Sequence, residues 1–258
     1  MKRSQINTAI AQAKEFFADH HFMLPPWAFW RPADWRTLPP SIPPHAGGRH
    51  EDVSRSEAGR RLVWSDINNL KMIPRDLEKT LPNPTPQTPP PPYSEIIENM
   101  LGWDITDFGL GDYDRYGLLL FTIRNGNPKR DKKTYAEKIM LAHEGQETPL
   151  HFHWSKMEDI INRGGGNLVI ELYGSTEDEK LSTEPVQVSI DGIQREVPAG
   201  GRVVLKPGES ICLYQGLYHR FYGEPGHGDV LIGEVSQVND DARSEEHTSE
   251  LQSPNCIS

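Results

Sequence analysis

The spacing of apolar and polar positions changes twice along this 258-residue chain. At the start, Ile6, Ile10 and Phe16 or Phe17 recur three to four residues apart, as on one face of a helix. Ser4 is a suitable cap, so a helix is predicted over 4–19. Paired prolines stop it, and LPPWAFWRPADWRTL brings Trp27, Phe29, Trp30 and Trp35 close together. So many large apolar groups are expected to pack onto a sheet. From 39 to 92 the periodicity is lost, and 12 of the 22 prolines fall there. Proline runs favour an extended backbone and cannot carry sheet ladders, so 39–92 reads as an insertion or loosely ordered loop with one short helix near 62–70. SEIIENMLGW restores a helical pattern, with Ser94 as cap and Gly102 as stop. DITDFG then reads as a loop. After it the period becomes two: strands are predicted at 118–124, at TYAEKIMLAHEG, at the segment of His151 and His153, and at NLVIELYG, VQVSIDG, GGRVVLKPGES, ICLYQGLYHRFYG and DVLIGEVSQVND. Gly164–Gly166 reads as a tight turn. Many short strands with glycine turns and no alternating helices predict a mostly-β antiparallel sandwich or barrel, preceded by helices.

Composition narrows the function classes. The net charge is -10 and the pI about 5.5, which offers no basic field for nucleic acid or an anionic membrane. Hydrophobic residues make up 36% and mean hydropathy is -0.62, so part of the chain is expected to lie outside a packed core. No stretch approaches the roughly 18 apolar residues of a membrane span. Cys212 and Cys256 lack framework spacing, and the amphipathic N-terminus is unlike a signal peptide. Both features predict reduced thiols and a cytoplasmic location. The last stretch, RSEEHTSELQSPNCIS, carries no apolar periodicity and resembles a translated sequencing adapter. Residues 243–258 are therefore set aside as an artefactual tail.

The candidate chemistry lies in GQETPLHFHWSKMEDIINRGGG. On an extended segment His151 and His153 leave the same face, and Glu158 follows five residues later. Two imidazoles and a carboxylate form part of a metal site; on their own, two such histidines are as readily a packed pair. Of the ten histidines, His219 is the best fourth ligand, since Gly216 permits a bend just before it. His143 is a weaker candidate, and His227 sits in a glycine-rich turn.

Gly145-x5-His151-x-His153-x4-Glu158-x6-Gly165 fits the first cupin motif. Gly208-x5-Tyr214-x-Gly216-x2-His219 fits the second, with Tyr214 in place of the usual proline and Gly223 in place of the usual asparagine. More narrowly, AEKIM, PLHFHWSKMEDIINRGGGNLVIELY, LKPGESICL, GLYHRF, GDVLIGEVSQVNDD, LPPWAFWRPADW and LGWDITDFG resemble the bacterial cupin-type D-lyxose isomerases. The resemblance covers 1–38 and 93–241. The segment 39–92 is longer than the connection expected there, and the family continues past NDD with a C-terminal stretch that is absent here. The resemblance implies a cupin β-barrel over 93–241, with the N-terminal helical and aromatic segment packed on it. It implies an aldose–ketose isomerase acting on D-lyxose and D-xylulose, and on D-mannose and D-fructose, through a cis-enediol. It also implies a divalent metal, Mn2+, held by His151, His153, Glu158 and His219, and a homodimer. A buried carboxylate near the metal is needed as base, and Glu234 is the choice. Lys138 is the leading cation for charge stabilisation or proton shuttling. Lys156, Trp154 and Asp240 are candidate sugar contacts. Two competing expectations are a cupin oxygenase using the same ligands with iron, and a non-catalytic sugar-binding cupin.

Overall fold

The computed structural model describes residues 1–30, 34, 94–127 and 132–238. The proline-rich stretch 39–92, with the helix expected near 62–70, Trp35, Asp240 and the tail lie outside the described residues.

Two antiparallel sheets enclose the core. The larger has eight strands in the order β1 (Gly102–Thr106), β2 (Leu118–Arg124), β3 (Tyr135–Ala142), β11 (Val230–Gln237), β4 (Glu158–Gly165), β9 (Ser210–Leu213), β6 (Val186–Ile190) and β7 (Ile193–Val197). The smaller has the order β10 (Leu217–Gly223), β5 (Leu168–Gly174), β8 (Gly201–Leu205). Mostly-β antiparallel architecture is as expected.

The middle of the large sheet is buried on both faces. Inward, Met140, Ile160, Val230 and Ile232 meet Ile170, Leu172, Leu205 and Phe221 of the smaller sheet. Outward, Ile139, Leu141, Leu231, Phe121 and Trp103 lie beneath α1 (Arg3–Asp19). The helix presents Ala9, Ile10, Ala13 and Phe17 to them. Full burial of Ile10 and Phe17 contributes about 1.5–3 kcal/mol each. The Trp103 ring lies parallel to that of Phe17 at 5.9 Å and edge-on to Phe121 at 5.0 Å, and Trp27 packs on Phe121 at 4.7 Å.

Several element boundaries differ from the sequence reading. The first helix starts at Arg3, because the Lys2 N–H donates to Gln5 Oε1 at 2.8 Å and closes the first turn one residue early. The second helix, α2, is only Ser94–Glu98. Gly102 stops no helix but opens β1, which pairs with β2 through GWDIT because Trp103 and Ile105 have a core to enter beneath α1. Gly164–Gly166 is not a tight turn. Gly164 and Gly165 end β4, where the register with β11 shifts between Leu231 and Ile232, and Gly166 lies in the short connection to β5. At Gly165 φ is +82°, and a Cβ there would lie 2.2 Å from the Asp229 carbonyl oxygen. Gly165→Ala is therefore expected to cost about 2 kcal/mol or more, measured by denaturant unfolding. An unchanged midpoint would mean that this approach relaxes freely. Asn162, fully buried, pins the same corner. Its amide donates to the Gly166 and Leu205 carbonyls at 2.9 Å, and its Oδ1 accepts from the Gly164 N–H at 3.0 Å.

Candidate metal centre and catalytic cluster

The extended segment before β4 runs beside β10, and the two are stitched at His151 and His219. Each backbone N–H of this pair donates to the other's carbonyl, at 3.0 and 2.8 Å. That pairing sets the two imidazoles side by side, with ring centroids 4.3 Å apart. His153, two residues on, leaves the same face, 5.1 Å from His151 and 5.6 Å from His219 by centroids. One nitrogen from each of the three lies within 4.8 Å of the others. Gly216, at φ +74°, makes the bend that delivers His219.

The ring hydrogen bonds fix which nitrogens are free. His151 Nδ1 donates to the Pro149 carbonyl at 2.9 Å, and His219 Nδ1 to the Leu217 carbonyl at 3.0 Å. Each Nε2 therefore keeps its lone pair, as a metal-ligating imidazole requires. His219 Nε2 and His153 Nδ1 are buried with no hydrogen-bond partner among the described residues. Burial, with His219 and Lys156 close by, pushes the His151 imidazole down to about 3. Burial and Lys156 push His153 down as well. Both rings are neutral at physiological pH and can act as ligands.

Glu158 opens β4 inside the barrel, 4% exposed. Its Oε1 lies 2.9 Å from His219 Nε2 and 3.6 Å from His153 Nε2. Two ligands each about 2.1 Å from a divalent ion are roughly 3–3.5 Å apart, so these spacings suit one ion between them. The donor set, three imidazole nitrogens and one carboxylate oxygen, fits a divalent transition metal.

The other carboxylate oxygen faces a second charged cluster. Lys156 Nζ contacts Glu158 Oε2 and lies 2.7 Å from Glu234 Oε1; Lys138 Nζ lies 3.0 Å from that same oxygen. Sheet register accounts for the meeting. Glu234 is opposite Lys138 on β3 and opposite Ile160 on β4, one inward position from Glu158. Lys156 and Glu234 are 4% and 5% exposed. Burial opposes charge on Glu158, but the Lys156 ammonium beside it holds its carboxyl well below the usual carboxylate range. Burial likewise opposes charge on Glu234, but Lys138 and Lys156 hold it low. Lys156 is pushed up: the two carboxylates outweigh its own desolvation.

The structure thus brings together seven of the nine residues singled out from sequence: His151, His153, His219, Glu158, Lys156, Lys138 and Glu234. Lys156 occupies a more central place than a sugar contact alone would need, because it bridges both carboxylates. Trp154 alternates with the histidines, and its ring packs edge-on against Phe152 at 4.8 Å, with Phe152 on Tyr218. It is 41% exposed. His143 is also elsewhere, its Nδ1 2.8 Å from Asp229 Oδ2. Asp240 lies outside the described residues. Sequence reading missed Ser236, whose hydroxyl donates to Glu234 Oε1 at 2.9 Å. Its only signal is parity, since it lies two residues past Glu234 on a strand.

Comparison with known proteins follows the same lines. The D-lyxose isomerase family profile matches residues 1–42 and 86–257, passing over 43–85 and including the end of the chain set aside above. The D-lyxose/D-mannose isomerase of Escherichia coli O157:H7 is 41% identical over 243 residues, covering 93% of this chain and 85% of that protein. Its counterpart from Serratia proteamaculans is 42% identical over the same shares. Among solved structures, an L-ribose isomerase from Acinetobacter sp. DL28 in complex with L-ribose is 16% identical. It covers 69% of this chain and 82% of that one, at a TM-score of 0.40. On the sequence matches, over most of its length, this chain belongs to the D-lyxose isomerase family.

Proposed function

We propose that this protein is a metal-dependent aldose–ketose isomerase that interconverts D-lyxose with D-xylulose and D-mannose with D-fructose through a cis-enediol. The observation that carries the reading is a second buried carboxylate, Glu234, joined to the three-histidine site by Lys156 and free of ligand duty itself. A site that only held a metal would have no use for it. The relatives named D-lyxose/D-mannose isomerase support the choice of sugars. Lyxose and mannose share their configuration at C2 and C3, so contacts that accept one suit the other.

A divalent ion held by His151, His153, Glu158 and His219, Mn2+ in this reading, would supply Lewis-acid polarisation of the C1 carbonyl and C2 hydroxyl. The rest falls to the chain's own side chains. Glu234, ionised at neutral pH, takes the C2 proton and returns it to C1. Because the cations hold its basicity low, the step depends on acidification of the C–H bond. Lys138 and Lys156 stand beside the base to stabilise enediolate charge; an ammonium that gives its proton to O1 recovers one from the O2 hydroxyl, so the proton count closes. Asp240 remains a proposed sugar contact. Cytoplasmic location and a homodimer complete the reading. No helix among the described residues is long and apolar enough to cross a membrane.

The test is ketose formation from D-lyxose and D-mannose by protein stripped with chelator and then supplied with Mn2+. Activity should vanish on stripping and return on re-supply. Mn2+ at about 100 times its dissociation constant should also stabilise the fold by about 2.7 kcal/mol, read as a raised Tm. Bound metal without ketose from either sugar would sink the reading; oxygen consumption dependent on iron would replace it with an oxygenase.

A further inference from the structure

We propose that Ser236 is a positioning residue for the proton transfer: it fixes which oxygen of Glu234 acts as base. The inference rests on the isomerase reading above. Ser236 is 5% exposed and faces the barrel interior from β11, opposite Ala136 on β3 and Glu158 on β4. Its hydroxyl donates to Glu234 Oε1 at 2.9 Å. The same oxygen accepts from Lys156 at 2.7 Å and from Lys138 at 3.0 Å. Three donors therefore converge on Oε1, and no described residue donates to Oε2.

That asymmetry has a chemical consequence. A carboxylate oxygen offers about two lone-pair sites, so Oε1 is fully taken and the free lone pairs belong to Oε2. The structure assigns the proton to Oε2. The three donors are not equivalent in what they hold. Lysine ammonium groups sit on four-carbon stems and can follow an oxygen as it moves. The serine hydroxyl hangs one bond from the same strand, two residues away, and cannot follow. The terminal torsion of a glutamate is broad and nearly two-fold, so without a fixed donor the two oxygens exchange places and the carboxylate plane turns. A base that samples several planes spends little time aligned with the C2–H bond, and a misplacement of about 1 Å can cost on the order of 100-fold in rate. If the serine only satisfied its own hydroxyl in a crowded strand, its loss would be felt in stability and not in the chemical step.

The experiment compares wild type, Ser236→Ala, Ser236→Thr and Ser236→Cys, each loaded with Mn2+, on D-lyxose and on D-lyxose deuterated at C2. Ser236→Ala is expected to lose roughly 10- to 100-fold in kcat, with KM and metal content each within about threefold of wild type. Its C2 deuterium effect on kcat should rise, because the proton transfer becomes slower relative to the other steps. Ser236→Thr, which restores a hydroxyl on a strand-favouring side chain, should return to within about threefold of wild type. Ser236→Cys keeps the volume with a weak donor, and should behave like Ser236→Ala; it decides the matter on the same criteria if Ser236→Ala does not fold. A kcat within about twofold of wild type in Ser236→Ala overturns the inference. So does a loss that tracks metal content, or one that a folded Ser236→Thr does not recover. Should wild type itself form no ketose, the isomerase reading fails and takes this inference with it. An active wild type, an inactive Glu234→Gln and a fully active Ser236→Ala would remove the positioning role alone.

Discussion

Glu234→Gln is expected to keep its fold and its metal and to lose roughly 10²- to 10⁴-fold in kcat, the range a general base supplies. The substitution is nearly isosteric. Its amide oxygen can still accept from Lys138, Lys156 and Ser236, which now meet on the Glu234 Oε1 position. The amide nitrogen cannot accept a proton, and that is the function removed. Two lysines and two glutamates form the cluster, so its formal charge is zero in the wild type and +1 in the variant. The excess charge falls on the glutamine side, away from the face of Glu158 that meets His219. Metal content and Tm should therefore hold while turnover falls. Turnover within about tenfold of wild type would place the base elsewhere.

The second large effect is on stability. Lys156→Met keeps the length of the side chain and removes its charge. Glu158 and Glu234 would remain buried at 4% and 5% exposure, with Lys138 as the remaining cation on Glu234. Removing one partner from a buried ionic cluster costs about 3–5 kcal/mol, because the charge left behind is not repaid by solvent. For a domain of this size that lowers Tm by on the order of 10 °C, measured on metal-free protein at neutral pH. The pH dependence has a definite sign. In the wild type both carboxyls are held below their ordinary range. Their stabilising contribution is thus present at neutral pH and fades as pH falls through that range and below. In the variant, burial and mutual repulsion raise the carboxyls instead, so protonation relieves the variant as it weakens the wild type. The gap in Tm should narrow on acidification. A gap that stays constant from neutral to acidic pH would mean that the loss comes from packing and not from charge.

The meeting of His151, His153, His219, Glu158 and Glu234 was legible in the chain, because metal chemistry constrains candidate ligands in both residue type and spacing. His-x-His needs only an extended backbone to put two rings on one face, and Gly216 advertises the bend that brings His219 to them. What stayed hidden has equally physical causes. β4 escaped notice because its inward positions include Glu158 and Asn162, which are buried but polar, so the alternation carries no apolar signature. Gly102 reads as a helix stop and DIT as a loop because the burial of this strand depends on a helix a hundred residues earlier. The three glycines mimic turn chemistry, while what presses on them is the His20 ring at Gly164, the Asp229 carbonyl at Gly165 and the His227 and Gly228 carbonyls at Gly166. Ser236 could not be found from sequence, since a serine near a glutamate is unremarkable until the register shows both pointing inward.

The doubly covered sheet has a further consequence for assembly of the enzyme. On β3 and β11, Lys138, Met140, Ile232 and Glu234 point into the barrel, while Ile139, Leu141 and Leu231 point beneath α1. A slip of one residue in either strand would exchange the two sets. A charged group, Lys138 or Glu234, would be driven under an apolar helix at the same moment that aliphatic side chains took its place in the interior. No misaligned form could retain half of its packing or a trace of its chemistry. Quality control of this cluster is therefore built into the alignment of its strands: a chain that closes the barrel and seats its helix has already brought Glu234 to Lys138 and Lys156.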